Sequence, residues 1–207
     1  TLMVRSVRHS GFRQCRWPLL AWVGKVMASI TLPMRSLHER SDTLHELFTP
    51  LRGERPRVAI GLAKDSPRGT TALVATDEKT GALRYRDESF RTWTQVLRCR
   101  YFELWRGSVG DDLTLDRAYF TLLEVVPATH RYNELLCIHT DPADNDDLKQ
   151  GPHLHVSCAP DPMGHCHFPL EFGCLEAVLK DCDSLTTAMQ RAINVVARDV
   201  LPRFKDR

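Results

Sequence analysis

Apolar residues recur along the chain in short blocks whose period changes from one block to the next. The stretch from Ser41 to Phe48, SDTLHELF, opens with an N-capping residue and sets Leu44, Leu47 and Phe48 on one face. That spacing predicts a short helix, closed by Pro50. The runs RVAIGLA at 57–63 and TTALVAT at 70–76 are apolar and β-branched, so they predict two strands, with Pro67 and Gly69 marking the turn between them. After DEKTG at 77–81, the segment ALRYRDES alternates Leu83 and Tyr85 with arginines, the pattern of a half-buried strand joined to its predecessor as a hairpin. Residues 95–105, QVLRCRYFELW, continue the sheet.

From Leu115 the period lengthens. Leu115, Ala118, Tyr119, Leu122, Leu123 and Val126 stand at helical spacing and predict a helix stopped by Pro127. Strand character returns in ELLCIHT at 134–140. Near the C-terminus, Leu175 to Lys180 predicts a short helix and 185–201 a longer one. In the longer helix Ser184 is the expected cap, Leu185, Ala188, Met189, Ala192, Val196 and Val200 form the stripe, and Pro202 is the stop. Strands in series with few helices between them predict an α+β fold, a mostly antiparallel sheet with helices packed on one face.

Composition narrows the class without naming a function. The chain has 207 residues, 43% hydrophobic and 26% charged, enough for one domain with a sizeable core and unlike a disordered or collagenous chain. Its longest apolar run, WPLLAWVG at 17–24, stops at Lys25, well short of the roughly 20 residues a membrane-spanning helix needs. Seven cysteines, odd in number and without a C-x2-C pair, argue for reduced thiols and a cytoplasmic location, most of them as small core residues.

Charge is uneven. Residues 1–26 carry Arg5, Arg8, Arg13, Arg16 and Lys25 and no acid, so of 28 basic residues 23 remain downstream to face all 26 acidic ones. A body of that balance has no general attraction for nucleic acid; Arg84, Arg86, Arg91, Arg98, Arg100 and Arg106 are read as the wet face of a sheet, or else as a local basic patch. Met27 reads as a natural start. Residues 1–27 are therefore expected to be a non-domain extension, upstream sequence in preference to a transit peptide or secretory signal, with a single α+β domain over 28–207.

Candidate chemistry concentrates in GPHLHVSCAPDPMGHCHFPL, residues 151–170, which holds two His-x-His pairs. Alternation on a strand turns His153 and His155 to one side, and likewise His165 and His167. If CAPDPMG turns the chain back as a hairpin centred on Pro160, His153 faces His167 and His155 faces His165. All four rings then share the face opposite Leu154, Val156, Cys166 and Phe168. Four protonated imidazoles at that spacing repel, so neutral rings sharing a divalent metal are expected, with zinc the natural candidate. Asp141 and His139, at the preceding strand end, are the candidates for a general base or a further ligand. The plain alternative is a solvated set of surface histidines.

Two short resemblances touch this stretch. PHLHVSC resembles the opening of the histidine-triad nucleotide-binding motif, although Ser157 stands where a third histidine belongs. His155-Val-Ser157 is similar to the His-x-Ser/Thr element of two-histidine phosphoesterases, whose second element His167-Phe-Pro169 does not supply. The expectation is a small metal-dependent hydrolase, a phosphoesterase or nuclease, acting on a phosphate-containing or other anionic substrate held by an arginine of the 84–106 region. The alternative is a non-enzymatic binding module, for example a bacterial toxin–antitoxin or defence component, whose histidine face meets a protein partner.

Overall fold

A computed structural model describes residues 29–56, 58–77, 82–107, 112–126, 128, 131–142, 151–157, 165–169 and 175–205. For 156–157, 165–169 and 175–176 the backbone alone is described. The expected extension at 1–27 lies outside these residues.

Among the described residues, nine strands form one sheet. They are β1 (Thr31–Pro33), β2 (Ala59–Leu62), β3 (Thr70–Thr76), β4 (Phe90–Arg91), β5 (Leu97–Arg106), β6 (Asp112–Val126), β7 (Arg131–Thr140), β8 (His153–Ser157) and β9 (His165–Pro169). Spatial order is β2-β3-β5-β6-β7-β8-β9, with β1 added to the start of β6 and β4 to the start of β5, and every pairing is antiparallel. Four helices accompany it among the described residues: α1 (Leu37–Leu47), α2 (Thr49–Arg52), α3 (Leu175–Val178) and α4 (Cys182–Val195). This is the α+β arrangement read from the pattern.

The helices cover one face. Leu44, Leu47 and Phe48 of the α1 region and Leu185, Met189 and Ile193 of α4 pack onto Leu73, Leu97, Tyr101, Trp105, Phe120 and Ile138. Within that apolar layer Glu103 and Arg40 form a buried ion pair, to which Tyr101 and Trp105 also donate. On the opposite face a smaller cluster of Ala72, Val74, Tyr85, Phe102 and Leu104 is packed against Tyr119 and Leu83. The central strands are thus buried on both sides, which is why β3 and β5 read as near-continuous apolar runs.

Several expectations are corrected. Residues 115–126 form no helix: they are all but the first three residues of β6, a 15-residue strand. Its core-facing residues are Leu113 and Leu115, then Ala118, Phe120 and Leu122, because Trp105 pairs with Leu115 and Leu104 with Arg117, leaving Asp116 as an extra residue in a β-bulge. The bulge breaks the period of two, and burial of Tyr119 and Leu123 from the other side fills in a helical spacing. ALRYRDES is no strand either: residues 85–87 make a turn. Its alternation is real, since Leu83 and Tyr85 point inward, but as a flap over the second cluster. Gly61 permits that approach, for a Cβ there would lie 2.4 Å from Leu83 Cδ1.

Helix ends also move. Helix α1 begins at Leu37, four residues before the predicted Ser41, and Pro50 sits in the first turn of α2, where a missing N–H costs nothing. The cap of α4 is Asp181, whose carboxylate accepts from the Ser184 N–H at 2.8 Å, so the helix starts before the predicted Ser184. A π turn over Val196–Val200 and a 3-10 turn over Leu201–Phe204 carry it past Pro202.

Candidate functional site

Strand pairing decides which histidines meet. Ile138 pairs with Leu154, which packs into the helix-covered core, so the neighbours His139, His153 and His155 fall on the other face. His139 is directly opposite His153, and Cys137 opposite His155. A row runs across the sheet from Val74 through Phe102, Tyr119 and His139 to His153. Along it the rings stack: Phe102 on Tyr119 at 5.0 Å between centroids, Tyr119 on His139 at 4.3 Å, and His139 against His153 at 4.0 Å. A second row carries Arg100, Thr121, Cys137, His155 and His167. Tyr119, first read as part of a helix, is therefore the floor of the site, and only the strand assignment of β6 could have revealed it.

The β8–β9 hairpin forms, but two positions away from the register expected. His155 pairs with His167, His153 with Pro169, and Ser157 with His165. A slip of one would have moved the set to the other face; a slip of two changes partners and keeps the face. So the pairs His153 with His167 and His155 with His165 are not formed. The side chains of His165 and His167 lie outside the described residues.

What the described residues bring together is His139, His153 and His155, one ligand atom from each lying within 4.8 Å of the others. His139 and His153 are buried and His155 is half-buried. His139 Nδ1 is 3.0 Å from Asp141 Oδ2, and His153 Nδ1 is 2.9 Å from the Gly151 carbonyl oxygen. His153 gives its Nδ1 proton to that carbonyl and so keeps a lone pair on Nε2, whereas His139 Nδ1 meets Asp141 at ion-pair distance without the alignment of a hydrogen bond. Asp141, expected as a general base or a further ligand, stands behind His139. His139, expected alongside Asp141, itself belongs to the cluster of imidazole nitrogens.

His139 Nε2 and His155 Nε2 are 2.6 Å apart, a hydrogen bond that one proton can bridge. Two nitrogens bound at about 2.0 to 2.1 Å to one tetrahedral ion are about 3.3 Å apart, so loading an ion requires these rings to separate by roughly 0.7 Å. His155 is the half-buried ring of the three, and the bridging proton must be released.

Burial shapes the titratable groups beside the histidines. Burial, and then the charge of Asp141, pushes the Tyr119 hydroxyl up to about 12. Burial likewise pushes the Cys137 thiol up to about 12, against a donated hydrogen bond from the Thr121 hydroxyl at 3.6 Å. Neither group ionises near neutral pH, so Cys137 is no nucleophile. Cys99, Cys137 and Cys182 are free thiols among the described residues.

Neither a scan against protein-family models nor searches of curated proteins and of solved structures finds a match to this chain. No helix among the described residues is long and apolar enough to cross a membrane.

Proposed function

We propose that His139, His153 and His155 hold one divalent metal ion, zinc being the best match to three imidazole nitrogens, and that the centre serves hydrolysis of an anionic substrate. The convergence of three ligand atoms within 4.8 Å carries this reading. It is supported by the groups behind two of the rings: the Gly151 carbonyl accepts the Nδ1 proton of His153, and Asp141 stands 3.0 Å from His139 Nδ1. Three protein ligands leave a coordination position for water, and a bound divalent ion supplies its acidification. The chain's own contribution is a rigid sheet that fixes the rings and an aromatic floor, Tyr119, that excludes water from one side. Asp141 acts here by orienting His139.

Metal analysis of the chain purified without a histidine tag tests this. About one equivalent of zinc is expected, with loss of it in His153→Ala and His155→Ala. Cobalt substitution should give the intense visible absorption of a four-coordinate site. A folded wild-type chain that takes up no divalent metal after incubation and desalting would end the proposal.

A further inference from the structure

The face of the sheet that bears the histidines also bears a basic pocket. Its volume is about 540 Å³, within the range of small-molecule sites. Arg68, Arg86, Arg106 and Arg117 line it, together with Tyr85 and Asp116. Four guanidiniums against one carboxylate is a local excess of three positive charges, in a chain whose formal net charge is +2.

The bulge in β6 organises this pocket. Asp116, the extra residue, is almost fully buried, and its two carboxylate oxygens accept separately from Arg106 Nη2 and, at 3.0 Å, from Arg117 Nε. A guanidinium carries five N–H donors, so each arginine is held by one bond and keeps others for a ligand. Arg86 lies over the Tyr85 ring, 5.3 Å from its centroid, which restrains a third cation. Arg68 stands exposed in the turn before β3.

We propose that this pocket binds a phosphate-bearing small molecule through Arg106 and Arg117, with Arg68 and Arg86 completing the cradle. Planar guanidinium forks match phosphate oxygens two at a time, and an excess of three charges suits a multiply charged anion better than a single carboxylate. The position relates the pocket to the histidines. Arg117 and Tyr119 are two residues apart on one face of β6, about 7 Å along the strand, and Tyr119 stacks on His139. A ligand seated against Arg117 therefore extends towards the three imidazoles. Its identity as the substrate of that centre rests on the metal reading above; the binding itself does not.

Isothermal titration calorimetry on the full chain, stripped of metal and desalted, tests the pocket with inorganic pyrophosphate and with adenosine 5′-monophosphate at low ionic strength. Both should bind at one site. Arg106→Gln should weaken both by about tenfold or more, and Arg68→Gln, at an exposed turn, provides a second variant that leaves the Asp116 contacts in place. Arg35→Gln, an exposed arginine outside the pocket, should have no effect. Absence of binding in the wild type overturns the proposal. So does equal weakening by Arg35→Gln, which would mean diffuse attraction, or binding of the nucleotide without pyrophosphate, which would place recognition in the base. If pyrophosphate binds but the wild type holds no metal, the pocket stands and its link to hydrolysis falls.

Discussion

Replacing Glu103 by leucine removes the anion of the buried pair in the helix-covered layer, and the consequence follows from its contacts. Glu103 has no exposed surface and accepts from Arg40 Nε at 3.1 and 3.2 Å, Arg40 Nη2 at 2.5 Å, Tyr101 Oη at 2.7 Å and Trp105 Nε1 at 3.1 Å. Burial by itself would lower the Arg40 pKa, but the charge and hydrogen bonds of Glu103 raise it, so the guanidinium stays charged at 4% exposure. In Glu103→Leu that cation has lost its carboxylate and keeps the Thr186 hydroxyl. Removing one partner of a buried pair costs about 3–5 kcal/mol, with the orphaned tyrosine and tryptophan donors pressing towards the upper end. For a chain of this size that corresponds to a fall in Tm of about 6–20 °C. Circular dichroism melts and urea titrations measure it. The double variant Arg40→Met/Glu103→Leu should regain most of the loss, because it removes both desolvated charges at once. A Glu103→Leu protein within about 1 kcal/mol of wild type, or a double variant no more stable than the single, would refute the reasoning.

At the metal site, Asp141→Asn should weaken zinc binding by about 10–100-fold without changing its stoichiometry, because it alters the partner of His139 and removes no ligand; competition with a chromophoric chelator reads this, and an unchanged affinity counts against the orienting role. Stability should also fall in alkali. Cys137, pushed up to about 12 by burial from an ordinary 9, keeps its proton in the fold after the unfolded chain has lost it, so its contribution is complete below about pH 9 and declines by about 1.4 kcal/mol per pH unit up to 12. Tyr119 adds a decline of the same sign above pH 10. Urea titrations between pH 8 and 11 should show the slope, Cys137→Ala should reduce it, and a flat profile in the wild type would contradict the assigned burial.

Local pattern alone determined much of this protein. Apolar runs rich in β-branched or aromatic residues marked β2, β3, β5 and β7, the amphipathic stripe of Leu185, Met189 and Ala192 marked α4, and the alternation in HLHV determined that His153 and His155 share a face. These follow from side-chain period, which each segment carries in itself. Tertiary structure decided the rest. The bulge at Asp116 made a strand look helical, and burial from both faces removed the contrast that would have corrected it. The inward alternation of Leu83 and Tyr85 could not say whether their backbone lay in the sheet or over it. The register between β8 and β9 is a pairing of two strands, which composition does not specify. Above all, His139 lies 14 and 16 residues before its two companions, and no local spacing relates them. Only the pairing of β7 with β8, a long-range contact set by the packing of Ile138 and Leu154 into the core, brings its imidazole to theirs.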